Sequence, residues 1–466
     1  MGVVRSQGDA TGRVRMDAVA VLLVLAAIFL WGTVAARLER ADLAAPIVFT
    51  ALGAGLVGLG LVDAGAAPET LKPLAEVALV WVLFSDAARV RVQDLRTDLG
   101  RYSRLLGIGL PLTILAGWGL ARWLFPELDG WLALLVAAAL APTDAALGVP
   151  VVTNSAVPSR IRRLITVESG LNDGIATPVV MFAIAGAAAV EGVEVAAGLG
   201  TALAQLAIGA LIGVVIGGAG GALLRLTRRK GWVAEDFAGI AVLALALTAY
   251  LVAIAVGGNG FVAAFCGGLA FGATAGRRGR AELVFLEQAS GLVSLLVWLA
   301  FGAIAIPILL DGLSPMLVLY AVLSLTIVRM VPVAIATIGS GLDRNTVLFV
   351  GWFGPRGLAS LVFALLALEE LGESETSHAV TVIAATVFLS VIAHGASAAP
   401  LAARYGRAEA ARGPEPGGAV ADVAVRGLPR RRAKVPVLGG TAPSTHDGEG
   451  GGRDGEGGEE ESGGAS

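Results

Sequence analysis

The sequence predicts an all-α protein that crosses a membrane many times, and three observations support this class. Of the 466 residues, 56% are hydrophobic and only 15% are charged, whereas soluble domains carry about a quarter charged residues. The mean hydropathy is +0.78. Apolar stretches that are long enough to cross about 30 Å of hydrocarbon recur from Val19 almost to Leu401. Together these observations exclude a soluble enzyme.

About thirteen stretches match a membrane-crossing helix, which needs about 20 mostly apolar residues. The first follows a basic segment and also fits a signal peptide, but its apolar core is long for one, so a retained helix is predicted. The approximate bounds are 17–36, 45–62, 72–89, 103–124, 130–150, 161–190, 199–224, 235–256, 259–274, 283–310, 315–338, 345–368 and 379–402.

Three regions follow from this pattern: an N-terminal segment at 1–16, a transmembrane domain at 17–405 and a tail at 406–466. The tail is rich in Gly, Pro, Arg and Glu and ends in GEGGEEESGGAS. Such a composition cannot bury a core, so the tail is predicted to be disordered.

Charged loops set the expected orientation, because Lys and Arg in short loops stay in the cytoplasm. The loops after the third, fifth, seventh and ninth predicted helices are basic, and the loops between them are acidic. The protein is therefore expected in the cell membrane with its N-terminus outside and its C-terminus in the cytoplasm. Arg5, Arg13 and Arg15 favour the opposite side for the N-terminus.

Several function classes lack support in the sequence. The formal net charge is −3, and no basic patch predicts nucleic acid as a partner. No phosphate-binding loop, dinucleotide-binding glycines or cluster of metal ligands is found, so no cofactor, pump or redox enzyme is expected. The single cysteine, Cys266, excludes a disulfide within the chain.

Ionisable residues within the apolar stretches are functional candidates, because each costs several kcal/mol at mid-membrane depth unless it is paired or hydrated. Those residues are Asp144, Glu168, Asp173 and Arg329. On one helix, Ser169 and Asp173 are four residues apart and share a face, as do Glu168 and Asn172. With Asp144 and the Thr143 hydroxyl, they offer the oxygen ligands that a hard monovalent cation prefers.

A structural ion pair is the alternative explanation for these carboxylates. It is favoured for Glu168, because an unpaired Arg329 inside the membrane would be costly. Asp144 and Asp173 then remain as candidate ligands.

Two predicted helices contain interruptions. Pro142, Gly148 and Pro150 surround Asp144, while Gly351, Gly354, Pro355 and Gly357 surround Arg356. Each interruption falls in the fifth helix of its half if the helices form two repeats around the seventh. Paired interruptions of this kind are typical of an inverted-repeat secondary transporter with its site at the midplane. Arg356 is predicted to offset the carbonyl dipoles of the broken pair, with a snorkelling arginine as the alternative.

Asp86 and His394 are two further ionisable residues in the apolar stretches. Asp86, near the cytoplasmic end of the third predicted helix, either guides cations inward or simply faces water. His394 suits a pH sensor, because an unperturbed histidine titrates near neutrality, but a structural histidine packed against small residues is favoured.

Four motifs carry a family resemblance that covers about residues 17–405. They are PTD at Pro142–Asp144, ESGLND at Glu168–Asp173, VGWFGPRG at Val350–Gly357 and FLSVIAHGASAAPL at Phe388–Leu401. Together they resemble the monovalent cation:proton antiporter-1 family, which contains bacterial sodium/proton antiporters and animal sodium/proton exchangers.

The resemblance implies a thirteen-helix inverted repeat with two crossing broken helices, working as a homodimer in the lipid membrane by elevator-like movement. It assigns Asp173 as the essential carrier of cation and proton, with Asp144, Thr143 and Ser169 as further ligands. It also implies that Asn172 orients the crossing, that Glu168 and Arg329 form a structural ion pair, and that Asp86 lies near the cation route.

The expected mechanism is competition between a proton and a cation for one site, because burial favours the protonated form of a carboxyl group. Na+ is the favoured cation, with K+ as the alternative and Li+ as a further candidate. Asn beside Asp173 resembles the electroneutral class, so one-for-one exchange is predicted. A cation channel and an intramembrane hydrolase that uses Ser169 and His394 are remote alternatives.

Overall fold

The computed structural model describes residues 3–38, 43–61, 68–90, 92–144, 147–190, 199–276 and 279–411. These residues form helices joined by turns, so the predicted all-α class is confirmed. The helices are α1 (Val3–Leu38), α2 (Ala45–Gly58), α3 (Pro68–Arg89), α4 (Val92–Arg104), α5 (Leu110–Leu124), α6 (Gly130–Leu140), α7 (Val149–Val152), α8 (Ser159–Val190), α9 (Leu199–Arg229), α10 (Glu235–Ala255), α11 (Gly260–Thr274), α12 (Gly279–Gly312), α13 (Pro315–Leu325), α14 (Ile327–Ala336), α15 (Arg344–Trp352), α16 (Leu358–Leu371) and α17 (Glu373–Ala410).

Each of the predicted stretches corresponds to one helix or to a consecutive pair of helices. A π-helical turn at Leu105–Gly109 joins α4 to α5. The two predicted interruptions separate α6 from α7 and α15 from α16. A further interruption at Thr326, which has φ −107° and ψ −88°, separates α13 from α14 and was not predicted.

Within the described part of the chain, eight helices are long and apolar enough to cross a membrane, and three shorter helices are apolar as well. The protein is therefore a polytopic membrane protein.

Side-chain caps explain where several helices begin. The Asp129 carboxylate accepts a hydrogen bond from Trp131 N at 2.8 Å before α6, and Asn259 Oδ1 accepts one from Val262 N at 3.0 Å before α11. Before α15, the Asp343 carboxylate accepts from two backbone amides. Such caps satisfy N–H groups that have no partner within the helix.

The helices pack in two groups. One contains α2, α3 and α9–α12, and the other contains α5–α8 and α13–α17. Glycines permit close approach in the first group: a Cβ at Gly268 or Gly272 on α11 would overlap the backbone of α3. Helix α8 contacts both groups, so its polar residues lie where the two groups meet.

Helices lie at both ends of the described part of the chain. Helix α1 already begins at Val3, and α17 continues to Ala410, with Gly406 packed against Ala156. The remainder of the predicted tail, from 412 onward, lies outside the described residues.

Candidate functional site

The two broken helices cross at Asp144. The Asp144 N–H donates a hydrogen bond to the Pro355 carbonyl oxygen at 2.7 Å. A Cβ at Gly357 would overlap the Asp144 carboxylate, so only glycine fits at that position. The glycines that interrupt the second helix therefore also permit the close crossing.

Opposite charges stabilise the helix ends at the crossing. The Leu358 N–H, at the start of α16, donates to Asp144 Oδ2 at 3.1 Å. At the end of α6, Arg356 Nη1 donates to the Ala141 carbonyl at 2.7 Å and to the Pro142 carbonyl at 3.2 Å. A carboxylate at a helix N-terminus and a guanidinium at a C-terminus both oppose the helix dipole. Arg356 was expected to offset the carbonyl dipoles of the broken pair; its side chain is fully buried and contacts these carbonyls.

One further link across the crossing was not predicted. Ser360 Oγ on α16 donates to the Ala139 carbonyl of α6 at 2.7 Å. The sequence carries no signal for it, because a serine among small apolar residues is common in membrane helices.

The predicted polar face of α8 meets the first break at Thr143. Ser169 Oγ donates to the Thr143 carbonyl at 2.5 Å, and Asn172 Nδ2 donates to Thr143 Oγ1 at 2.8 Å. The structure thus brings together Thr143, Ser169 and Asn172. Asn172 Oδ1 is buried and has no hydrogen-bond partner among the described residues.

Asp173 and Asp86 lie beside this cluster. The Asp173 side chain follows Asn172 on α8 and is only 8% exposed. Asp86 on α3 packs against α8, since a Cβ built at Gly170 would lie 3.4 Å from Asp86 Cβ. Gly170 is three residues from Asp173, which places Asp86 about one helical turn away along α8.

The oxygen atoms at this site come from several chemical groups. Two hydroxyls, an amide and the Thr143 carbonyl meet where α8 reaches the first break, and the Asp86 carboxylate of α3 lies against Gly170 of α8 nearby. Among the described residues, no three His, Cys, Asp or Glu side chains are grouped to hold a metal ion. The donor set is the mixed, oxygen-only kind that suits a weakly held hard cation.

Glu168 forms an ion pair with the arginine that was expected to be its partner. Arg329 Nη2 on α14 lies 2.9 Å from Glu168 Oε2 and 2.8 Å from Oε1. The Glu168 side chain is only 2% exposed and the Arg329 side chain only 1%. A Cβ at Gly354 would overlap Arg329 Nε, so the pair packs directly against the second break.

His394 lies on α17 and bonds to the second break. Its Nε2 is 2.9 Å from the Trp352 carbonyl, and its Nδ1 is 3.1 Å from Ser390 Oγ. The Ser169 hydroxyl instead bonds to Thr143. Ser169 and His394 therefore have separate partners, which disfavours the hydrolase alternative.

Comparison with known proteins gives one family. The family described as sodium/hydrogen exchanger, transmembrane, matches residues 21–404. The K(+)/H(+) antiporter NhaP of Alkalimonas amylolytica is 27% identical over 355 residues, which cover 74% of this chain and 60% of the relative. The K(+)/H(+) antiporter NhaP2 of Shewanella oneidensis is 28% identical over 309 residues, covering 64% of this chain and 52% of the relative. The chain thus spans between half and two thirds of the length of these relatives.

A solved structure shares the fold. The sodium proton antiporter MjNhaP1 from Methanocaldococcus jannaschii is 21% identical, with a TM-score of 0.67 over 84% of this chain and 99% of that chain. The likeness confirms the predicted antiporter fold with its two crossing broken helices. Since the family matches most of the sequence as well, the chain belongs to the transmembrane sodium/hydrogen exchanger family.

Proposed function

We propose that this protein is a secondary antiporter that exchanges a monovalent cation, with Na+ favoured, for H+ across the cell membrane. One observation carries the proposal. Asp173 is buried beside Ser169 and Asn172, and both of these side chains hydrogen-bond to Thr143 at the break between α6 and α7. A buried carboxylate among oxygen donors at an unwound helix is the arrangement that transporters use for coupling ions.

In the proposed mechanism, Asp173 holds either a proton or the cation, and the two compete. Ser169, Thr143 and Asp144 supply further oxygens, and Asp86 lies on the approach to them. Arg356 and Asp144 bond to the helix ends at the break, which stabilises unwound backbone beside the ion.

Electroneutral exchange of one cation for one proton follows from the charges on α8. Asn172 occupies the position beside Asp173 and carries no proton to exchange. The nearby Glu168 is held by Arg329, which supports a fixed charge there rather than a second carrier.

K+ is the second candidate cation. The relatives from Alkalimonas and Shewanella are named K(+)/H(+) antiporters, whereas MjNhaP1 is named a sodium proton antiporter. Both ions prefer oxygen ligands and differ in the cavity size that they need, so the choice requires measurement.

The proposed setting is a homodimer in the lipid of the cell membrane. The basic and acidic loops of the sequence support an external N-terminus and a cytoplasmic C-terminus. The transmembrane domain at 17–405 would carry the exchange, flanked by the segments at 1–16 and 406–466.

The test is dissipation of an imposed pH gradient in proteoliposomes on addition of Na+, K+ or Li+. Wild type is expected to dissipate the gradient, and Asp173→Asn is expected to lose all of this activity while remaining folded. Glu127→Gln is the matched control, because the Glu127 side chain is 54% exposed in a loop outside the site. It should behave as wild type.

Two results would contradict the proposal. Normal exchange by Asp173→Asn would remove Asp173 from the mechanism. Cation flux without countertransport of protons would instead indicate a channel on the same fold.

A further inference from the structure

One face of α17 carries three polar side chains that all bond to the second break. Ser390, His394 and Ser397 are spaced four and three residues apart, so they share a helical face. Ser390 Oγ accepts from Arg356 N–H at 2.7 Å, and His394 Nε2 contacts the Trp352 carbonyl at 2.9 Å. The Trp352 indole Nε1 donates to Ser397 Oγ at 2.9 Å.

The partners of His394 set the direction of its hydrogen bonds. A carbonyl oxygen only accepts, so His394 Nε2 must carry the hydrogen that bonds to Trp352. Nδ1 lies 3.1 Å from both the Ser390 hydroxyl and the Ser390 carbonyl oxygen, and in the neutral imidazole it accepts from the hydroxyl. The Ser390 oxygen in turn accepts from the Arg356 N–H. A continuous run of hydrogen bonds therefore leaves the break at Arg356 and returns to it at Trp352.

The break needs such partners. Where α15 ends and α16 has not begun, the Arg356 N–H has no partner within a helix, and the Trp352 carbonyl accepts from Gly354 N–H at 2.8 Å besides His394. Ser390 and His394 are 0% and 1% exposed, so bulk water does not reach this point. Without Ser390, the buried Arg356 N–H would be left unpaired, which is costly. Without His394, the Trp352 carbonyl would keep only the Gly354 N–H as a donor.

The segment between α15 and α16 also positions two charged side chains at the candidate cation site. The Arg356 side chain bonds to the end of α6, and Leu358, two residues later, bonds to Asp144. A shift of the Arg356 backbone would therefore move both contacts.

We propose that Ser390 and His394 are positioning residues that hold the α15/α16 break, and through it Arg356 and Asp144, in the geometry that binds the cation. This inference rests on the proposed function. Neither residue touches the ion, and each acts through the backbone of the break.

The first test measures cation-dependent exchange in proteoliposomes, separating the half-saturating cation concentration from the maximal rate. Ser390→Ala should raise the half-saturating concentration about tenfold, because it leaves the buried Arg356 N–H without its partner. His394→Ala should raise it by less, because the Trp352 carbonyl keeps the Gly354 N–H. His394→Gln should restore most of the affinity, since its amide N–H can donate to Trp352 in place of Nε2.

Thr386→Ala is the matched control. Thr386 is a fully buried hydroxyl on the same helix, and its Oγ1 donates within α17 to the Val382 carbonyl at 2.8 Å. It should keep the half-saturating concentration of wild type. A change in maximal rate alone, or an equal shift in Thr386→Ala, would reduce Ser390 and His394 to general packing and overturn the proposal.

The second test is hydrogen–deuterium exchange of the amides between 353 and 358, which needs no transport. Ser390→Ala and His394→Ala should exchange faster there than wild type, and Thr386→Ala should not. Equal exchange in all variants would refute the positioning role. If wild type transports no cation, the proposed function fails, and the amide exchange still decides whether these side chains hold the break.

Discussion

Two buried arginines of this protein are neutralised in different ways. Arg329 meets a full negative charge on Glu168. Arg356 instead donates to the carbonyl oxygens of Ala141, Pro142 and Ser324. The first region is an ion pair that joins α8 to α14, whereas in the second the hydrogen bonds go to carbonyl oxygens near helix ends, which carry partial negative charge.

The difference shows what each arginine depends on. The Arg329 guanidinium is balanced by one carboxylate, so removal of that carboxylate leaves a buried charge unpaired. The Arg356 guanidinium depends instead on carbonyl oxygens near the ends of two helices. Under the proposed function, the first charge is fixed and the second lies at the site of exchange.

Glu168→Gln should have the largest effect on stability. It leaves Arg329 buried without its counter-charge, which is expected to cost about 3–5 kcal/mol. Thermal unfolding of the purified protein in detergent measures the loss. The double variant Glu168→Gln with Arg329→Met removes both charges and should recover most of the stability. Unchanged unfolding of Glu168→Gln would show that the pair does not hold the helices.

Arg356→Met should have an intermediate effect. It removes charge-assisted hydrogen bonds to carbonyl oxygens but leaves no buried carboxylate without a partner, so a loss of about 2 kcal/mol is expected. Exchange in proteoliposomes should fall strongly, because the end of α6 loses its compensating charge. Arg356→Lys keeps the charge and should retain part of both properties. A loss of stability as large as that of Glu168→Gln would show that the two arginines contribute to stability in the same way.

Much of this arrangement was predictable from single residues. Pro142, Gly354 and Pro355 indicate the breaks, because proline and glycine interrupt helices. Glu168 and Arg329 indicate their pairing, because an unpaired charge in an apolar helix is costly. Each of these signals comes from the chemistry of single residues within a short stretch of sequence.

Contacts across the crossing were not predictable in the same way. Asp144 was expected as a cation ligand, and nothing in the sequence shows that its Oδ2 also accepts from Leu358, 214 residues away. The interruption at Thr326 is a further case, since threonine does not itself interrupt a helix and Pro332 lies six residues later. Distances between remote segments depend on packing, which a single sequence does not encode locally.

Asp144→Asn should have the smallest effect on stability and still abolish exchange. The asparagine carbonyl can accept from Leu358 N–H in place of Oδ2, so the start of α16 keeps its cap and the loss should stay below about 1 kcal/mol. The negative charge is lost, however, and with it the expected ligand for the cation. Asp144→Ala removes both the charge and the acceptor, and should therefore unfold at a lower temperature than Asp144→Asn. Retained exchange in a stable Asp144→Asn protein would mean that Asp144 only caps α16, and Asp173 would then be the only aspartate at the site that carries the ion.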